Sequence, residues 1–276
     1  MWYKDFIKIS YLNTFRHYQT QDNTWEYDKE SKKWNKVPWT LEQLVKKLVA
    51  KPSLGYHWYA GQSVHKAIQT KGFLTYPQDT YMFLDTWNLR KKIDTSRIVL
   101  PVEDCEGWIK PIVIAGHIIK GRYDTKKDTC IHDIKTSASF NKDDYLADWQ
   151  WRFYMLGEDA EDFIYHLFAI QFDEKKPKER DANGMKRLNS QNLDVVDYDT
   201  IVIERPTDLL EQCTKGVLSW IEFLKENKVA IRKIAKEKFG VELADDPVPE
   251  YKTTTGIPFE EKSDAYNNMM KEFTNE

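Results

Sequence analysis

The sequence predicts an α/β fold, a mixed central sheet flanked by helices, with its elements in the order α-β-β-β-α-β. Three observations predict it. The run 121–137 reads as two strands joined by a tight polar turn. The run 163–172, Phe-Ile-Tyr-His-Leu-Phe-Ala-Ile-Gln-Phe, is an apolar stretch of strand length. Between them, 144–157 has the composition of a helix, with Gly157 as a natural stop.

In chain order, 1–54 is an aromatic-rich N-terminal region. Residues 9–18 look helical, and Thr40 with Gln43 forms a capping box opening a helix at 41–50. Trp25, Trp34 and Trp39 lie among Lys32, Lys33 and Lys36. They read either as a platform for single-stranded bases or as a hairpin with aromatic cross-strand pairs. In 61–69, Val64, Ala67 and Ile68 recur at helical spacing after Gly61. His65 sits beside that stripe, either as a metal ligand or as a packed histidine.

The 121–137 hairpin carries the chemistry. With a loop centred on Asp128 and Thr129, Asp124 lies opposite Asp133, their Cβ atoms about 4.5–5.5 Å apart. Alternation puts Lys135 on the same face and turns His132 away. Two carboxylates that close repel unless a cation lies between them. The neighbouring ammonium can hold a water or a phosphate oxygen. That is the outline of a metal-dependent phosphodiester hydrolase; for Asp124 alone, a plain turn residue is the alternative. On the next helix Gln150 and Tyr154 are one turn apart, with Leu146, Trp149, Phe153 and Leu156 as its buried stripe.

Beyond the apolar strand, 175–187 reads as a basic loop and 200–204 as a strand. A long helix at 209–225 is capped by Thr207 or Asp208, with Leu210, Val217, Ile221 and Leu224 facing inward. A second helix at 229–239 is flanked and lined by Lys228, Arg232, Lys233, Lys236 and Lys238, a solvated face or a contact for backbone phosphates. Residues 240–276 look peripheral.

These motifs, in this order, resemble the PD-(D/E)xK nuclease superfamily, in its RecB-like and Cas4-like exonuclease branch. The G-x-x-H element matches at Gly61 to His65, one residue longer than the minimal form. G-x-x-D matches at 121–124, D-x-K at 133–135, and Q-x-x-x-Y at 150–154; Thr136 and Ser137 continue the pattern. The likeness covers roughly residues 55–228. It implies a restriction-endonuclease-like core with N- and C-terminal helical additions: an extension at 1–54, a nuclease domain at 55–240 and a peripheral segment at 241–276. It implies that His65, Asp124, Asp133 and the carbonyl of Ile134 bind Mg²⁺ or Mn²⁺. Lys135 would position or help deprotonate the attacking water. Gln150 and Tyr154 would place the strand and Lys135, with Lys126 and Arg152 also meeting the nucleic acid.

The implied activity is that of a DNA exonuclease in recombination, repair or replication. Its substrate would be linear DNA, single-stranded or with free ends, and a recombination or replication protein is an expected partner. A structure-specific endonuclease on the same fold and a non-catalytic nucleic-acid-binding subunit are the alternatives. Relatives of this stand-alone kind occur in phages and bacteria, implying a cytoplasmic setting in a bacterial or phage-infected cell.

Composition sets outer bounds. The chain has 276 residues, of which 41% are hydrophobic and 14% aromatic, in keeping with a globular protein. Three cysteines cannot supply the four thiolates of an iron–sulfur cluster, and they suit a reducing interior. No apolar run reaches the ~18 residues of a membrane span, and no signal or transit peptide is evident. A net charge of −3 leaves nucleic-acid binding to a local basic groove.

Overall fold

The computed structural model describes residues 6–28, 30–31, 33–49, 65, 106–172 and 193–243. Its architecture is α/β, with mixed sheets flanked by helices. The helix expected at 61–69, the basic loop at 175–187 and nearly all of 240–276 lie outside the described residues, apart from His65, whose backbone is helical.

The chain opens with β1 (Phe6–Lys8) and α1 (Ile9–Gln19). The hairpin β2 (Asn23–Asp28) and β3 (Lys33–Pro38) follows, then α2 (Leu41–Val49). The capping box is made as expected: the Thr40 amide donates to Gln43 Oε1 at 2.9 Å, and the Gln43 amide to Thr40 Oγ1 at 3.2 Å. The aromatic N-terminal segment thus forms a hairpin, with Trp25 opposite Lys36 and Tyr27 opposite Trp34. Trp39 does not offer a face to bases. It is buried, and its indole stacks on His17 at 6.2 Å.

A three-stranded sheet has the order β1-β5-β4, from β4 (Ile112–Ile114) and β5 (His117–Lys120). β1 runs parallel to β5, pairing Ile7 with Ile119. The first strand therefore shares a sheet with residues 112–120. A four-stranded sheet has the order β6-β7-β8-β9. Its strands are β6 (Thr125–Lys127), β7 (Cys130–Ser137), β8 (Asp162–Phe172) and β9 (Leu193–Glu204). β6 and β7 are antiparallel, β7 and β8 parallel, β8 and β9 antiparallel.

The parallel pair needs a crossover, and two helices provide it. These are α3 (Lys142–Leu146) and α4 (Trp149–Glu158). The sequence pattern merged them into one helix; Asp148 divides them by turning its carboxylate to the Gln150 amide at 2.9 Å as an N-cap. Nor does Gly157 end the helix. A Cβ there would stand 3.1 Å from the Ile109 side chain, so glycine serves close packing, and Asp159 in the left-handed region closes the helix instead. The buried stripe also differs: Trp151, Phe153, Tyr154 and Met155 face inward, whereas Leu146 is exposed.

The last two helices are α5 (Leu209–Glu226) and α6 (Lys228–Phe239). On α5, Val217, Ile221 and Leu224 are buried as expected, but Leu210 is exposed and Leu209, Cys213 and Trp220 take the inner face. α1 packs against both α4 and α5, delivering Leu12 and Phe15 into the core. Among the described residues no helix is long and apolar enough to cross a membrane.

Candidate active site

Asp124 stands just before β6 and Asp133 in the middle of β7. The β6–β7 register pairs Thr125 with His132, and one residue further it sets 124 opposite 133, as the nine-residue spacing predicts. The intervening turn works because Asp128 adopts a left-handed backbone, which Asp tolerates. His132 faces the other side of the sheet, where its Nδ1 lies 3.0 Å from His166 Nε2.

The two carboxylates sit in different surroundings. Asp124 Oδ2 accepts the Ile134 amide at 2.7 Å and lies 3.4 Å from His65 Nδ1. Burial raises its pKa, but His65, Lys135 and the Ile134 N–H outweigh burial and hold the carboxyl below its ordinary value. Asp133 is 1% exposed. Its Oδ1 accepts from Gln150 Nε2 at 2.6 Å, and its Oδ2 lies 2.7 Å from the Lys135 ammonium. Burial drives Asp133 upward, Lys135 pulls it back, and Asp124 raises it again, leaving it at about 7. The surroundings thus push the two carboxyls apart, Asp124 downward and Asp133 upward.

Lys135 donates to Gln150 Oε1 at 2.6 Å. Burial favours its neutral form, but Asp133, Asp148 and Asp124 outweigh that and raise its pKa. The carboxylates around it thus favour its charged form. Gln150 Nε2 also reaches the Tyr154 hydroxyl at 3.1 Å, and that hydroxyl donates to the Arg122 carbonyl at 2.5 Å. Gly121 makes this possible: any Cβ there would run into the Tyr154 ring. Tyr154 is buried, with its pKa raised by that burial and by Asp133, so it braces Gln150 from behind.

Two residues expected to meet nucleic acid are engaged elsewhere. The Lys126 ammonium binds Glu158 Oε2 at 2.7 Å, and Glu158 Oε1 also accepts the Lys110 amide at 2.8 Å. The Arg152 guanidinium lies over the Trp151 ring at 4.1 Å, and it donates to Gln212 Oε1 at 2.9 Å and to the Asp148 carbonyl at 2.6 Å. Both hold the scaffold together.

The sequence pattern also passed over Asn13. Its Oδ1 accepts the Trp149 amide at 2.7 Å, so α1 caps the helix that carries Gln150. A cap supplied across 136 residues leaves no local signal.

The donors suit a hard divalent cation. Asp133 Oδ2 is buried and lies 2.7 Å from the Lys135 ammonium, which also donates to Gln150 Oε1. His65 stands 3.4 Å from the second carboxylate, Asp124, which also accepts the Ile134 amide. Among the described residues no three acid, imidazole or thiol side chains close into a cage.

No family model matches the chain, and no curated protein matches it. Among solved structures, the chain is similar to a phage-related exonuclease from Haemophilus somnus 129PT. The two are 12% identical, the match covers 69% of this chain and 95% of that one, and the TM-score is 0.30.

Proposed function

We propose that this protein is a divalent-metal-dependent deoxyribonuclease, acting as an exonuclease on linear DNA in recombination, repair or replication. The observation that supports it best is the bridge at Asp133, where one amide, that of Gln150, binds both the buried carboxylate and the Lys135 ammonium. Beside this bridge a second carboxylate, Asp124, carries His65 at 3.4 Å, and two neighbouring carboxylates favour a cation between them.

In this reading His65, Asp124, Asp133 and the carbonyl of Ile134 hold Mg²⁺ or Mn²⁺. The bound ion would lower the pKa of a water and offset the charge that develops at phosphorus. The chain's own residues do the rest. Asp124, already ionised, holds its orientation through the Ile134 amide. Lys135, kept protonated, receives a phosphate oxygen or orients the attacking water. Gln150 fixes the ammonium, and Tyr154 fixes Gln150. The resemblance of the D-x-K and Q-x-x-x-Y motifs to those of RecB-like nucleases supports the same assignment.

The test is metal-dependent release of mononucleotides from linear DNA, with covalently closed DNA as the control. Release from linear DNA alone, lost on chelation and in Asp124→Ala, supports an exonuclease. Nicking of the closed circle would make it an endonuclease, and no hydrolysis with either Mg²⁺ or Mn²⁺ would refute the enzyme.

A further inference from the structure

The strand next to Asp133 carries a residue that no motif contains. In the parallel β7–β8 register, Tyr165 is the partner of Asp133, and it is fully buried. Its ring lies 5.7 Å, centroid to Nζ, from the Lys135 ammonium, within the range of a cation–π contact. Tyr145 and Phe163 wedge the ring, at 5.4 Å and 4.7 Å between centroids. It cannot turn away without displacing both. The hydroxyl points toward the Trp151 amide in the first turn of α4 but makes no hydrogen bond of ordinary geometry. The ring, rather than the hydroxyl, is what faces the lysine.

Asp133 and Gln150 grip the ammonium through its polar contacts. An ammonium on a four-carbon stem keeps rotational freedom under two such contacts. The Tyr165 face supplies an apolar wall that removes it. We propose that Tyr165 is a positioning residue, whose ring holds the Lys135 ammonium in one orientation beside Asp133 so that it meets the scissile phosphate correctly. This rests on the nuclease reading above.

The experiment compares wild type, Tyr165→Met and Tyr165→Phe on linear DNA, with Mn²⁺ affinity by calorimetry and melting temperature alongside. Methionine keeps much of the volume without a ring; Tyr165→Leu replaces it if that variant does not fold. The ringless variant is expected to lose roughly five- to thirty-fold in kcat with KM and Mn²⁺ affinity unchanged, and Phe to restore kcat. Wild-type kcat without the ring, an equal loss in the Phe variant, or loss of Mn²⁺ binding would each overturn the proposal. An inactive wild type would refute the nuclease reading instead. The placement is then read by NMR of the metal-free protein: the Lys135 ε-methylene signals should carry a ring-current shift that vanishes in Tyr165→Met and persists in Tyr165→Phe. Unshifted signals in wild type would sink the placement itself.

Discussion

Gln150 holds Lys135 at 2.6 Å through its amide oxygen while its amide nitrogen donates to the carboxylate beside it at the same distance. The amide thereby ties the ammonium and Asp133 to one side chain. Lys135 and Asp133 alone would form a simple ion pair two residues apart on a strand. With Gln150, the ammonium is held from two sides, by Asp133 Oδ2 at 2.7 Å and by the amide oxygen.

Replacing Gln150 by alanine removes both of these bonds. Hydrogen bonds to charged groups contribute about 1.5–3 kcal/mol each, and here they orient reacting groups more than they hold the fold. The expected outcome is a fall in turnover on linear DNA of roughly ten- to a hundredfold, with Mn²⁺ affinity within about twofold of wild type. Calorimetry and single-turnover assays on the same preparation decide it. Full activity in Gln150→Ala would reduce the helix to scaffold.

Asp133→Asn should abolish cleavage, and its effect on stability is the more revealing measurement. Two facing carboxylates repel, so neutralising one should relieve strain. The ion pair with Lys135 argues the other way, because asparagine leaves a partly buried ammonium with Gln150 as its main partner. Leaving the Lys135 ammonium without its carboxylate costs more than relief of the repulsion gains, so a net loss of about 1–3 kcal/mol is expected in metal-free buffer. Urea melts at pH 7.5 would show it; a more stable variant would mean that repulsion dominates the site.

How far the sequence could be read follows from the range of each signal. Asp124 opposite Asp133 was legible because a two-residue turn sets antiparallel register locally. Gln150 over Tyr154 was legible because helical spacing is local too. Tyr165 beside Asp133 was not, since a parallel register is set by how the crossover helices pack. Lys126 and Arg152 looked available for phosphates because composition shows charge and not partner; Glu158 and Gln212 claim them through the fold. Trp151 is buried and donates to the Leu146 carbonyl at 3.0 Å, joining α4 to α3 through a bond that spacing alone does not show.

His65 offers a clean separation of ligand from filler. Its imidazole reaches Asp124 at 3.4 Å and helps to hold that carboxyl ionised. If it binds the ion, or only orients Asp124 for it, His65→Ala should weaken Mn²⁺ affinity by roughly 10–100-fold. A packed histidine would instead lower the melting temperature and leave the metal titration unchanged. One Mn²⁺ titration of the variant, with its melt, distinguishes these.

On the far side of the sheet His132, His166 and Tyr198 form a stacked row, with His166 Nδ1 2.8 Å from the Tyr198 hydroxyl. The His132–His166 hydrogen bond needs one nitrogen to accept, so the two rings cannot both be imidazolium and keep it. Burial, with His132 adding to it, lowers the pKa of His166 from 6.5 to about 3. The sign follows directly: between those values the unfolded chain takes up a proton that the folded one refuses. Stability is therefore complete above pH 6.5 and is lost as pH falls toward 3. By pH 4.5 the loss from this one group amounts to about 3 kcal/mol. His166→Gln keeps a polar side chain in the row but cannot titrate. It should be less stable than wild type at pH 7.5, and the gap should shrink or reverse by pH 4.5. Urea melts of the two proteins at both pH values test this, and parallel curves would show that His166 takes up its proton in the folded state as readily as in the unfolded chain.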